Sequence, residues 1–194
     1  MTLSNQLCAS ESISAPAEAS PAEAELIRAT IAGDAQAFDA LVHLYGRRVF
    51  SYIHQMTRQA QDAEDLAQQT FIKAYGNLHR FDTTRPFIGW LLTIARRTAL
   101  NHFRSARHWE PVPETIATGE PTPAQQAEGR DQIDDLWAHA RRVLSPREYE
   151  ILWLRFSENL SVAEAAHVAG LTQTHVKILV FRARRRLLKT PFKP

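Results

Sequence analysis

The sequence predicts an all-α protein, built from two small helical domains joined by a Pro-rich linker. Apolar residues recur every three or four positions through most of the chain, which is the spacing of one helix face, and no convincing alternating strand pattern is found. Between residues 111 and 123, four prolines and Gly119 interrupt that periodicity. We therefore assign residues 1–21 to a disordered tail, 22–108 to the first domain, 109–130 to the linker and 131–190 to the second domain.

Cap residues mark the helices of the first domain. Ser20 is a suitable cap for a first helix that starts with Pro21 and ends at Gly33. Asp34 is a suitable cap for the second helix, which is long and carries a continuous apolar face. The third helix is expected over about 62–75, with Gly76 as its C-terminal cap, and Pro86 opens the fourth.

Two capping boxes mark the helices of the second domain. A helix from Gln132 to Leu144 precedes the first box, in which Ser145 caps the next helix and Glu148 reaches back to it. Ser161 and Glu164 form the second box, at the start of a short helix that ends near Gly170, and a last helix runs from about Thr172 to Lys189. The helix after Ser145 is expected to bury Tyr149, Leu152, Trp153 and Phe156.

The last two helices predict a helix-turn-helix. Ala166 is small where the second helix would cross the first, and Gly170 permits the left-handed turn. The shared core would consist of Val162, Leu171, Val176 and Leu179. The alternative is an ordinary helical hairpin with a solvated basic end. Arg184, Arg185 and Arg186 are consecutive and point in different directions, so at least one of them is expected to serve packing or solubility alone.

The charge distribution favours a nucleic-acid or acidic partner. The net charge of the chain is +2, yet residues 165–194 hold seven Lys and Arg residues and no acid. A solvated helix face is the alternative reading of such a run.

Several function classes lack sequence support. Cys8 is the single cysteine, and the sequence has no P-loop, nucleophile elbow or metal-ligand cluster, so we expect no cofactor, no metal and no enzyme activity. No stretch is apolar enough to span a membrane, and the first 22 residues do not form a secretory signal, so we expect a cytoplasmic protein. Cys8 is either inert or a redox switch.

Two blocks of sequence, in this order, resemble the bacterial sigma-70 family, in its extracytoplasmic-function (ECF) group. The first block is DAEDLAQQTF at 62–71, followed by Phe81 and by FIGWLLTIAR at 87–96. The second runs from LSPRE at 144–148 through Leu154 and Arg155 to the helix-turn-helix. The resemblance implies a sigma factor that binds core RNA polymerase, recognises promoter DNA and helps to open it. The first domain would be sigma2-like and the second sigma4-like.

The resemblance assigns core-polymerase binding to the third helix, whose acidic and amide face would dock on the β′ clamp helices. Acidic side chains in the first turn of a helix also stabilise it by interacting with the helix dipole, so helix capping is the alternative role. The residues of this face are Asp62, Glu64, Asp65, Gln68 and Gln69.

The resemblance assigns minus-ten DNA recognition to the fourth helix and to the loop 81–85, which helps to form a base pocket. Cations there would hold the backbone of the melted strand. Arg97 stands where the family usually has Asn, and Trp90 is expected in the core rather than as a stacking platform. The minus-ten residues are Arg85, Arg96, Arg97, Asn101 and Arg104.

The resemblance assigns minus-thirty-five recognition to the last helix, in which Gln and Lys side chains can read base edges. Ile178 and Leu179 depart from the family, which commonly has a small polar and a basic residue there. The exposed part of the run 178–181 would contact thymine methyls, a partner protein, or the first domain in an inhibited state. The minus-thirty-five residues are Thr172, Gln173, Thr174, His175, Lys177, Arg182, Arg184 and Arg185.

Two other functions stay open at this point. One is a sigma-like mimic that sequesters an anti-sigma factor, and the other is a stand-alone helix-turn-helix regulator. The resemblance further implies an anti-sigma partner, which would hold the protein at the inner face of the membrane. The promoter sequence and the inducing signal are not encoded in any motif.

Overall fold

The protein is all-helical in the computed structural model, which describes residues 21–109 and 128–190. The prediction of an all-α fold is confirmed. The tail to residue 20, the Ser20 cap, Cys8 and residues 110–127 of the predicted linker lie outside the described residues. The helices are α1 (Pro21–Ile31), α2 (Ala35–Thr57), α3 (Ala60–Asn77), α4 (Phe87–Trp109), α5 (Glu128–Val143), α6 (Pro146–Leu152), α7 (Val162–Ala169) and α8 (Gln173–Lys189), with a 3₁₀ turn at Leu78–Arg80 and a π-helical turn at Trp153–Ser157.

Helix α2 is the centre of the first helical unit, α1 to α4, and packs against α1, α3 and α4. Its apolar face is buried, with Leu41, Val49 and Ile53 fully covered. The Asp34 cap is confirmed, because its carboxylate accepts hydrogen bonds from the backbone nitrogens of Gln36 (2.8 Å) and Ala37 (3.3 Å).

The third helix is longer than its cap signals predicted. It includes Gly76, so the prediction of Gly76 as a C-terminal cap is wrong. The chain stays helical because it continues directly into the 3₁₀ turn, where Leu78 is buried in the core. Tertiary burial of Leu78 outweighs the local preference for a stop at glycine.

The helix-turn-helix, α7 and α8, forms as predicted. Both capping boxes are present, at Ser145 with Glu148 and at Ser161 with Glu164. Gly170 adopts the left-handed conformation (φ 65°), and its two neighbouring helices bury Ala166, Val176 and Leu179.

Phe156 is exposed, so its predicted burial is wrong. The cause is the π-helical turn that follows α6. A π turn holds one more residue than an α turn, so Phe156 leaves the buried row of Tyr149 and Leu152.

The second helical unit, α5 to α8, packs directly on the first. Helix α7 lies against α4, and one continuous apolar core includes Leu91 of the first unit and Leu154 and Ala165 of the second. A smaller core under α5, α6 and α8 holds Leu144 and Tyr149.

Candidate functional site

Helix α3 presents a polar face to solvent. Glu64, Asp65, Gln68 and Gln69 are exposed, while Leu66 on the opposite side is buried. Asp62 differs from them, because it is half-buried and its Oδ2 lies 3.8 Å from Nε2 of His102 on α4. Four of the five predicted residues therefore share an accessible surface.

An open groove runs beside this face, between α2 and α3. Glu64 and Gln68 line its edge, and Phe50 and Phe71 form part of its apolar floor. Ile72, also in the groove wall, leaves 72% of its surface exposed. An apolar floor with a polar rim is typical of a protein-docking surface.

Helix α4 divides the predicted minus-ten residues between two faces. Arg97, Asn101 and Arg104 recur at helical spacing and are exposed together. Arg96 lies on the other face, with 13% of its side chain exposed, and its Nε is 2.7 Å from Oε1 of Glu150 on α6. Three cationic or amide side chains are thus available to solvent, and Arg96 is held by the second helical unit.

Glu150 is also bonded to Tyr52 of α2, whose hydroxyl donates to the same Oε1 (2.9 Å). Burial raises the pKa of Tyr52 well above its ordinary value, and the adjacent Glu150 carboxylate adds to this shift. Tyr52 therefore stays a neutral hydrogen-bond donor.

The loop between the 3₁₀ turn and α4 is shaped by Asp82. The backbone nitrogen and the hydroxyl of Thr84 both donate to Asp82 Oδ1, and these bonds lower the pKa of the carboxyl. Arg85 is exposed, with its Nε 3.4 Å from Asp82 Oδ2. Trp90 is half-buried and packs on Phe81 (ring centroids 5.2 Å apart), which agrees with a core role.

The start of α8 carries accessible polar side chains. Gln173, Thr174, His175 and Lys177 are exposed. The hydroxyl of Thr172 caps the helix by accepting from the backbone nitrogen of His175 (3.2 Å). Gln173 and Lys177 are one turn apart and form one row.

The arginines at the end of α8 have different environments. Arg182 and Arg185 are exposed, and Arg184 is half-buried. Arg186 is bonded to Glu148, with Nη1 3.0 Å from Oε2, so it serves the packing role expected of one arginine in this run.

The apolar run on α8 is only partly buried. Leu179 belongs to the core, whereas Ile178 and Phe181 leave 43% and 65% of their surfaces exposed. The sequence left three contacts open for this run: thymine methyls, a partner protein or the first domain. Among the described residues, the first helical unit does not cover Ile178 or Phe181.

No group of His, Cys, Asp and Glu side chains within the described residues is arranged to hold a metal ion. Of the helices in this part of the chain, none is both long enough and apolar enough to cross a membrane.

Family comparisons match both helical units. Sigma-70 region 2 matches residues 41–108, and Sigma-70 region 4 matches residues 142–189. The RNA polymerase sigma-H factor of Pseudomonas aeruginosa is 33% identical over 180 residues, which cover 85% of this chain and 91% of that protein. The ECF RNA polymerase sigma factor BldN of Streptomyces coelicolor is 35% identical over 173 residues; this match covers 85% of the chain but 64% of BldN.

Two solved structures share the fold. CnrH, in complex with the cytosolic domain of CnrY, has a TM-score of 0.63 at 24% identity and covers 87% of this chain and 96% of that one. The sigma factor RpoE, in complex with the anti-sigma factor NepR from Bartonella quintana, has a TM-score of 0.62 at 23% identity, covering 78% and 94%.

Proposed function

Because this chain belongs to the ECF group of the sigma-70 family of RNA polymerase sigma factors, we propose that it binds core RNA polymerase and directs it to promoters. Both matched regions are present in order, which confirms the resemblance seen in the sequence. Members of this family are not enzymes, in agreement with the expectation from the motifs. The observation that supports the proposal best is that one chain exposes an acidic and amide-bearing surface on α3 and cationic side chains on α4 and α8.

The polymerase docks on α3. Glu64 and Gln68 sit at the rim of an apolar groove, and Asp65 and Gln69 extend the polar surface beside it. Asp62 lies beside His102 of α4 rather than on the open surface, and a basic or amide-bearing partner helix would be complementary to the polar rim of the groove.

The minus-ten strand runs along α4. Arg97, Asn101 and Arg104 neutralise and position its phosphates, and Arg85 contributes from the loop beside Phe81. Arg96 joins them once it is released from Glu150.

The minus-thirty-five duplex receives α8 in its major groove. Gln173 and Lys177, together with Thr174 and His175, face base edges. The flanking cations Arg182, Arg184 and Arg185 contact phosphates, and the Thr172 hydroxyl fixes the start of the helix.

An anti-sigma factor controls the protein in the cytoplasm, in this proposal. The RpoE neighbour was solved with such a partner, which supports the idea for this fold. If that anti-sigma factor is anchored in the membrane, it would hold the sigma factor at the inner face of the membrane.

Reconstituted transcription tests the proposal. Purified protein, bacterial core RNA polymerase and a fragmented genomic library are expected to give discrete transcript starts that share upstream motifs. A chain that binds core without starting transcripts would contradict the promoter role. A chain that does not bind core would favour the mimic or the stand-alone regulator.

The docking surface is tested by Asp65→Arg, which reverses a charge on the exposed α3 face. We expect core binding to be lost while the helical circular dichroism is unchanged. Glu25→Arg is the matched control, because Glu25 is also exposed, on α1, and does not line the groove. Unchanged affinity of Asp65→Arg for core polymerase would refute this surface.

A further inference from the structure

We propose that Ile178, on the outer face of α8, contacts the methyl group of a thymine in the minus-thirty-five element. This apolar contact gives the chain a base preference of its own. The inference deepens the DNA-reading role proposed above for α8 and rests on it. Its physical basis is an exposed isoleucine at a base-reading position of a helix whose surroundings are cationic.

The outer face of α8 carries four exposed side chains at positions i, i+3, i+4 and i+7. They are Thr174, Lys177, Ile178 and Phe181. The opposite side of the helix is buried, at Val176, Leu179 and Ala183. The recognition helix of a homeodomain presents its base contacts at the same spacing. Ile178 therefore lies within the row of side chains that faces the bases when α8 enters a major groove.

Ile178 differs from its two apolar neighbours in the run 178–181. Leu179 belongs to the core and Val180 packs against it, whereas 43% of Ile178 is exposed. A β-branched side chain in a helix has one strongly preferred χ1 rotamer, so Ile178 presents an apolar surface of fixed shape. Such a surface is suited to discriminate between bases by contact.

The surroundings of Ile178 favour DNA over a partner protein. Lys177 and Arg182 are its exposed neighbours, Arg185 follows on the same face, and residues 165–194 contain no acid. A cationic surface attracts a polyanion, whereas the core of a protein interface is depleted in charged residues. Two exposed apolar side chains among these cations are also far smaller than the roughly 800 Å² that each partner buries in a standard protein interface.

The chemistry of the major groove selects thymine at this position. Thymine presents its C5 methyl group there, whereas cytosine presents an amino donor and both purines present the N7 acceptor. Because isoleucine has no polar side-chain atom, it would leave such a donor or acceptor unpaired, which is costly. Against a thymine methyl it removes apolar surface from water instead. The family commonly has a small polar residue at this position, so we expect the preference to be particular to this chain.

Duplex selection supplies the DNA for the test. Random duplexes are selected on the chain alone and, in parallel, on the chain bound to bacterial core RNA polymerase. Each thymine of the recovered motif is then replaced in turn by deoxyuridine, which removes only the C5 methyl group. We expect one replacement to weaken binding about fourfold, the effect of one apolar carbon that is no longer withdrawn from water. This measurement uses the unmodified protein, so misfolding of a variant cannot affect it.

Ile178→Ser assigns the methyl effect to its residue. In this variant the same deoxyuridine replacement is expected to change the affinity by less than about 1.5-fold, because the two changes remove the same contact. Ile178→Val keeps a branched apolar side chain and is expected to retain most of the effect. Ile31→Ser is the matched control: Ile31 is 50% exposed on α1, and the fourfold effect should persist in this variant.

Equal methyl effects in the wild type and in Ile178→Ser would assign the methyl group to another residue and overturn the proposal. A selection that yields no thymine-containing motif, or a motif in which no deoxyuridine weakens binding, would overturn it as well. The sigma-factor proposal is scored separately, by transcription. A methyl effect without transcript starts would keep the Ile178 contact and reject the sigma role, and transcript starts without a methyl effect would do the reverse.

Discussion

Replacement of Glu148 by Gln is expected to loosen α8 from the rest of the second helical unit. Glu148 is 2% exposed, in the first turn of α6. Its Oε2 accepts from the backbone nitrogen of Ser145 (3.0 Å) and from the Ser145 hydroxyl (2.8 Å), and it lies 3.0 Å from Nη1 of Arg186 on α8. One carboxylate thus joins the start of α6 to the end of α8.

The expected loss of stability is about 1 kcal/mol. Glutamine keeps the volume of the side chain, so no cavity forms. Its amide oxygen can still accept from Ser145, because Glu and Gln both serve at this position of a capping box, so the cap is kept. What is lost is the ion pair with Arg186, which contributes about 1 kcal/mol because Arg186 is 53% exposed and water screens its charge. Arg186→Gln should therefore cost about 1 kcal/mol, and the two changes together no more than Glu148→Gln alone.

Urea unfolding followed by circular dichroism measures these free energies for the two single variants and the double variant. Lys189→Gln, which removes an exposed charge near the end of the same helix, is the control and is expected to cost less than about 0.5 kcal/mol. A coupling energy near zero between Glu148 and Arg186 would refute the reasoning.

Three further changes follow from individual sites. Lys177→Ala is expected to weaken promoter binding by about 1–3 kcal/mol if Lys177 reads a base, with Lys189→Ala as the control; an equal loss on every template would remove Lys177 from the base-reading residues. Burial, together with the nearby Arg141, lowers the pKa of His54, so the unfolded chain takes up the proton first and stability should fall as the pH drops from about 7 through about 6. His54→Gln should flatten that dependence in urea titrations, and an unchanged slope would contradict the assignment. Gly170→Ala forces a β-carbon into the left-handed turn (φ 65°) and should cost about 1–2 kcal/mol in thermal unfolding, with Gly170→Asn costing less; equal melting temperatures for the wild type and Gly170→Ala would refute the strain.

The helix-turn-helix was predictable because its determinants are local. Ser161 and Glu164 cap within three residues of each other, and Gly170 needs only its own backbone angle to close the turn. The fold class follows from the same short-range periodicity. The predicted roles of Asp65 and Lys177 depend on the family resemblance, and the structure adds that both side chains are exposed.

Local signals failed at two positions, Gly76 and Phe156. Gly76 looks like a stop, but burial of Leu78 keeps the chain turning. Phe156 has the spacing of a buried residue, but the π-helical turn rotates it to the surface. Neither the burial of Leu78 nor the π turn has a signature of a few residues.

Arg96 shows why a residue can be assigned from sequence while its partner cannot. The family resemblance assigns Arg96 to DNA, whereas in the structure its Nε is bonded to Glu150, 54 residues away in the sequence. In the same way, Arg48 is bonded to Glu158, 110 residues away. Nothing in the spacing of those acids distinguishes them from solvated helix residues. Because a guanidinium suits a carboxylate as well as a phosphate, the residue type alone could not tell that Arg96 pairs with an acid of the second helical unit.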